Sequence, residues 1–265
     1  MDTTPENMLK EGRLDDALQG LTARVRGNPA DAKARVFLFQ LLAVLGQWER
    51  AANQLQVSGE LDPLNNLMVA AYEQALRGER ERAEVMAGKR QPTIIGEPDP
   101  WLALLLQSLK LAAEGHYPAA LSSREEAFEQ AEPIAGQIDG EPFEWLADAD
   151  PRFGPCLEII LNGGYAWVPF ARIARLKFEQ PSDLRDKVWT PVQVTWNNGG
   201  EALGFVPTRY PGSERSADAD AVLARKTDWI DEGGEFMVGC GQRMFATDAG
   251  EYPLLDIRSI TFGVT

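Results

Sequence analysis

Gly12, Leu14, Ala17, Leu21 and Pro29 return as Gly46, Trp48, Ala51, Leu55 and Pro63, each pair 34 residues apart. A fixed period of this length constrains architecture before any local propensity does. Each slot has a physical meaning. Glycine permits a tight turn between two helices, and alanine lets the helices approach closely. Asn28-Pro29 and Asp62-Pro63 stop the second helix, because the residue before proline is pushed out of the α region. A third copy, GHYPAALSSREEAFEQAEP, puts Gly115, Tyr117, Ala120, Arg124 and Pro133 in the same slots, 69 residues beyond Gly46, two periods plus one.

The pattern resembles the tetratricopeptide repeat. It predicts that Ala51 is buried where two helices cross and that Trp101–Ala113 is the first helix of the third copy. Between the second and third copies, Leu67–Arg77 reads as one helix and Glu79–Ala87 as a shorter, charged one, a degenerate unit. GKRQPTIIGEPDP, residues 88–100, holds three prolines and two glycines and reads as a loop interrupting the array. Residues 6–134 are therefore expected to form a short TPR-like α-solenoid of about four helix pairs.

After Pro133 the apolar residues fall into short runs split by turn signals: CLEIIL, NGG, YAWVPF; VQVTW, NNGG, EALGFV; then EFMVGC, GQRMFAT and LLDIRSITF. Asn-Gly between β-branched and aromatic runs is a strong hairpin signal. Residues 137–265 are expected to be a mainly antiparallel, partly open β-barrel-like domain of about seven strands, making the chain α+β. One or two helices decorate it, a capped turn at Ser182–Asp186 and a helix over Ser216–Arg225. Five of the seven tryptophans lie here, at 145, 167, 189, 196 and 229.

A net charge of −14, shared by both halves, repels phosphate backbones and anionic lipid headgroups, so nucleic acid and membrane surfaces are excluded as expected partners. Met1–Gly12 lacks the basic and apolar stretches of an export signal, and no apolar run approaches the ~18 residues of a membrane span. The expectation is a cytoplasmic protein with Cys156 and Cys240 as reduced thiols.

Catalytic constellations are scarce. His116, the single histidine, falls in a repeat's turn slot, away from any nucleophile and orienting group, and with two distant cysteines it makes no zinc site. No G-x-S-x-G, Walker A or G-x-G-x-x-G pattern occurs, and no cofactor is expected. In GEPFEWLADADPRFGP, residues 140–155, Glu141, Glu144, Asp148 and Asp150 cluster without the alternating ligands of a calcium loop. The competing readings there are a hard-cation site or an acid–base pair on one side, and helix capping with a solvated edge between domains on the other. PTRYPGSERSADAD, residues 207–220, holds Arg209 and Tyr210 between two prolines, where a rigid loop displays contact-rich side chains for a partner. An ordinary turn with its tyrosine packed down is the alternative. On the solenoid, the first-helix face of Lys33, Val36, Gln40 and Ala43 is the second candidate surface, with Val36 and Gln40 at its centre.

The order of EGRLDDAL, NPADAKARVFLFQLLAVLGQWERAANQL, GEPDPWLALLLQSL, DGEPFEWLADADPRFGPCLE, YAWVPF, LRDKVWTPVQVTW, PTRYPGSE and GQRMFATDAGEYPLLDIR resembles the ImpE family, also called TagJ, of bacterial type VI secretion accessory proteins. The resemblance covers nearly the whole chain, and its C-terminal motifs are the specific ones. It implies a non-enzymatic cytoplasmic adaptor that binds the N-terminal helix of the small sheath subunit. It also implies a link to sheath assembly or recycling, the sheath-recycling AAA+ ATPase being involved indirectly. Two other classes stand beside it. A small hydrolase would use Asp148 and Asp150. A generic repeat co-chaperone would need a basic clamp, for which the one charge of the Lys33 face is too few.

Overall fold

The computed structural model describes residues 4–263; the expected C-terminal boundary at 265 and the first residues of the Met1–Gly12 stretch lie outside that range. The N-terminal half is helical. Helices α1 (Pro5–Lys10) and α2 (Leu14–Gly27), α3 (Ala32–Val44) and α4 (Trp48–Leu61), and α6 (Pro100–Ala113) and α7 (Tyr117–Gln130) form three packed pairs. The turn glycines Gly12, Gly46 and Gly115 sit at φ 74°, 67° and 80°, the left-handed region that a side chain at those turns would resist. Ala17, Ala51 and Ala120 are fully buried, as their slots require.

Between the second and third pairs the degenerate unit is not two helices but one, α5 (Asn66–Met86), 21 residues long. Nothing breaks it: Gly78 costs about 1 kcal/mol of propensity, which tertiary packing outweighs. A Cβ at Gly78 would lie 2.6 Å from Ile160, so glycine here lets α5 press directly onto the sheet. The 88–100 loop also differs from expectation, since Thr93–Ile94 (β1) pairs in parallel with a strand of the C-terminal half and forms an edge of its sheet.

The strands of the C-terminal half are more numerous than the seven expected. They are β2 (Gly136–Ile138), β3 (Glu141–Phe143), β4 (Leu146–Asp148), β5 (Cys156–Leu161), β6 (Gly164–Pro169), β7 (Ile173–Phe178) and β8 (Trp189–Trp196). There follow β9 (Glu201–Pro207), β10 (Thr227–Asp231), β11 (Met237–Gly241), β12 (Met244–Thr247), β13 (Glu251–Pro253) and β14 (Ser259–Phe262). Both Asn-Gly hairpins are present, β5–β6 around Asn162-Gly163 and β8–β9 around Asn197–Gly200. The main sheet has nine strands in the order β1-β6-β5-β9-β8-β7-β14-β2-β3, antiparallel except at β1. Its end strands do not pair with each other, so it is an open sheet and not a barrel. A three-stranded sheet, β13-β12-β4, and the β10–β11 ribbon complete the half.

The expected helix over 216–225 shrinks to α8 (Ala219–Val222), capped by Asp218. The turn near Ser182 is a 3-10 helix over Leu184–Lys187, closed by a capping box of Asp183 and Asp186.

Strand alternation divides the interior. On β5, Cys156 and Ile160 face a core shared with Leu42, Leu55, Tyr72, Leu76 and Leu105 of the helices, together with Trp167 and Trp189. Leu157 and Ile159 point the other way, into a second core with Val168, Val194, Phe245 and Leu254. The molecule is layered as helices, large sheet, then small sheet, and the first core crosses from one half of the chain to the other.

Candidate functional site

Because β5 alternates, Glu158 lies between Cys156 and Ile160 on the face turned to the helices, and it is fully buried. On α5, Glu79 and Arg82 fall on the same stripe as Tyr72, Ala75 and Leu76 and are buried with it. Arg82 grips Glu158 with both arms, Nε to Oε1 at 2.8 Å and Nη2 to Oε2 at 2.9 Å. Its Nη2 also donates to the Arg209 carbonyl at 2.8 Å. Glu79 accepts from the Trp189 indole at 3.0 Å.

From Glu158 the network runs deeper. The Tyr165 hydroxyl donates to it and accepts from Trp167 Nε1 at 2.7 Å. Arg243, fully buried, donates to Glu158, to Asp148 and, at 2.9 Å, to the Pro207 carbonyl. Its guanidinium lies over the rings of Phe153 and Tyr210. Asp148 also accepts from the Tyr210 hydroxyl at 3.0 Å, while Asp150 pairs with Arg152 and accepts from Gly239 N–H at 2.7 Å. Burial raises a carboxyl; for Glu158 the charges of Arg82 and Arg243 overcome it and hold the group at about 2. At Asp148 burial outweighs Arg243 and the pKa rises to about 7. Burial likewise pushes Glu79 upward. Such interior charges are tolerated because each has partners, which makes the cluster a clamp between α5 and the sheet.

The first sequence candidates sit inside this assembly. Arg209 and Tyr210 are not displayed by their loop: they are 4% and 1% exposed. Arg209 Nη1 donates to the carbonyls of Val44 (2.8 Å) and Val222 (2.5 Å), and burial lowers its pKa to about 10. The packed-down alternative describes the loop correctly. Gln40 is also buried and Val36 half-buried, and the Leu184–Lys187 turn packs against α3. None of these four offers a freely exposed side chain to a partner. Asp148 and Asp150 are spent on arginines and backbone donors, not on a solvated edge, whereas Glu141 and Glu144 are exposed. His116 is exposed at the start of α7, and Cys156 and Cys240 are buried and unbonded to each other. Among the described residues no group of three or more His, Cys, Asp or Glu could hold a metal ion, and no helix is long and apolar enough to cross a membrane.

Sequence reasoning missed the clamp. Two signals were available: a glutamate inside the otherwise apolar CLEIIL run, and Glu79 and Arg82 at core spacing on a helix. At the surface, two apolar features stand out. One is a set of exposed leucines, Leu64 (89% exposed) and Leu67 (87%) around the start of α5 and Leu203 (77%) on β9, the last lining a cleft together with Lys177 and Glu179. The other is a groove between the end of α7 and β4, where Phe128 and Trp145 are part-exposed.

Fold and interior together define an α+β protein whose paired helices are fastened to an open antiparallel sheet by a buried network of charges. The family described as ImpE protein matches residues 140–261. Over 98% of this chain and 91% of the relative, the sequence is 51% identical to the type VI secretion system accessory component TagJ of Pseudomonas aeruginosa. The chain belongs to the ImpE family. A crystal structure of a protein from Vibrio parahaemolyticus shares the fold, with a TM-score of 0.89 over 98% of both chains at 24% identity.

Proposed function

We propose that this protein is an accessory component of a bacterial type VI secretion system, acting in the cytoplasm as a non-enzymatic adaptor. Its partner in this reading is the N-terminal helix of the small sheath subunit, and its task is to assist sheath assembly or ATPase-driven recycling. The observation that carries the reading is the 51% identity to TagJ across 98% of the chain. Two structural features support it. Paired helices with the glycine and alanine slots of TPR-like repeats belong to a class of scaffold that presents grooves to helices and peptides. The acidic residues that a hydrolase would need at 148 and 150 are occupied by Arg243 and Arg152.

The test is calorimetry with a peptide copying the sheath subunit's N-terminal helix, without nucleotide or metal. Saturable one-to-one binding is expected. Absence of binding, both by the peptide and by the intact sheath subunit, refutes the adaptor reading.

A further inference from the structure

The groove between α7 and β4 has an apolar floor and wall built by Phe128, Ile134, Trp145, Ala147, Pro151 and Pro155. The charged side chains that line it are Glu132 and the interior Asp148, and no Lys or Arg does. Exposed Glu129 and Glu144 stand next to its two aromatic residues in the chain, and the side-chain carboxylates of Glu129, Glu132 and Glu144 are in no hydrogen bond or ion pair among the described residues. The cleft lined by Leu203 differs in kind, since Lys177 and Glu179 offset each other there.

The backbone around the groove narrows the shape of what fits. β4 is the end strand of its small sheet, the usual place for an added strand. Yet the Glu144 and Trp145 N–H groups already donate to Asp248 Oδ1, at 2.7 and 3.5 Å, and Asp148 N–H donates to the Gly154 carbonyl at 2.7 Å. An extended segment would find few donors to pair with and would leave its own backbone groups unsatisfied against an apolar wall. A helix brings its hydrogen bonds with it and needs from the surface only an apolar face and complementary charge.

From this we infer that the α7–β4 groove is the docking site of an amphipathic helix whose apolar stripe is flanked by Lys or Arg. The inference rests on the adaptor reading for its natural occupant, the sheath subunit's helix, and goes beyond it in naming the surface and the charge of the ligand. Trp145 and Phe128 supply the apolar anchors, and Glu129, Glu132 and Glu144 meet the basic flanks. The carboxylate rim acts through long-range attraction, so association slows as salt rises.

The experiment titrates full-length protein with two probes, the sheath-helix peptide and an idealised leucine–lysine helical peptide, with thermal unfolding of each variant confirming its fold. Trp145→Ala is expected to weaken both by at least 10-fold. Glu132→Lys with Glu144→Lys should cut the association rate several-fold and flatten its salt dependence. Leu64→Asp with Leu67→Asp should leave both unchanged. Should the sheath peptide bind Trp145→Ala as well as the parent and fail on the Leu64/Leu67 variant, the groove is wrong while the adaptor reading stands. If the sheath peptide binds no form of the protein but the leucine–lysine helix binds in a Trp145-dependent manner, the groove stands and its natural occupant is misassigned. Self-association that Trp145→Ala abolishes, with neither peptide binding, would mean the groove holds a second copy of this chain and overturns the inference.

Discussion

Arg82 on α5 holds both carboxylate oxygens of Glu158 on β5, across 76 residues of sequence and from one half of the chain to the other. The contact is bidentate and excluded from water, so its geometry is favourable and its rupture costly. Replacing Arg82 with Met keeps the stem's packing and removes the charge, leaving Glu158 with Arg243 as its one cation beside the Tyr165 hydroxyl. Urea unfolding is expected to show a loss of about 3–5 kcal/mol. A loss under about 1 kcal/mol would mean the clamp does not fasten the halves.

The same carboxylate sets an acid limit. Glu158 is held at about 2 in the folded protein against an ordinary 4.5, so the folded state binds fewer protons than the unfolded one between those values. The stability it contributes is fully present above about pH 4.5 and is lost as pH falls toward 2. The amount at stake is about 3 kcal/mol. The difference in unfolding free energy between the parent and Glu158→Gln should therefore shrink across that window. A difference that stays constant from pH 6 to pH 3 would contradict the assignment.

Packing of the helical half is probed at two small residues. Ala51 is fully buried, and a Cβ at Gly78 would meet Ile160 at 2.6 Å. Ala51→Leu and Gly78→Ala should each overpack their contact at a cost of ~1–3 kcal/mol. Ile160→Ala, which removes every Ile160 atom that a Cβ at Gly78 would meet, should cost less in the Gly78→Ala background than in the parent, and no less in the Ala51→Leu background. Thermal melts of the single and paired variants decide it.

What could be read from the chain follows a physical division. Helix-turn glycines, crossing alanines and Asn-Gly hairpins announce themselves because a backbone conformation or a close approach demands that residue type at that spacing. The identity of a charged residue carries no such mark, and only its position, as with Glu158 inside the CLEIIL run, points to burial. Arg82 looks the same whether it is solvated or buried against Glu158, and its neighbours Arg80 and Glu84 are indeed exposed. Arg209 and Tyr210 misled for the same reason, as a proline-bounded loop gives no indication of which side it turns inward. The joining of β1 to the sheet was hidden because two residues flanked by prolines and glycines carry too little pattern to read as a strand.

Both thiols should be inert in the folded state. Cys156 is fully buried and its pKa is driven upward by that burial, and Cys240 is 8% exposed. A colorimetric disulfide reagent at pH 8 is expected to label neither on the timescale of minutes, and both after denaturation. Rapid labelling of one thiol in the native protein would show that the β5 or β11 region opens far more readily than its packing allows.

The crossing of one core between helices and sheet predicts cooperative unfolding. Leu42, Leu76 and Leu105 share their cluster with Ile160, Trp167 and Trp189, so neither half can open without exposing apolar surface of the other and stranding Glu79, Arg82 or Glu158 without partners. Two probes separate the halves: helical circular dichroism reports mainly residues 5–130, whereas five of the seven tryptophans lie beyond residue 140. In urea the two signals should trace one transition with a shared midpoint. The linker around Glu132–Ala135 should remain the first site cut in limited proteolysis, but the nicked fragments should stay associated through the shared core until denaturant is added. Separated midpoints, or fragments that part on a sizing column under native conditions, would show that the charge clamp joins two independently stable domains and does not weld them into one folding unit.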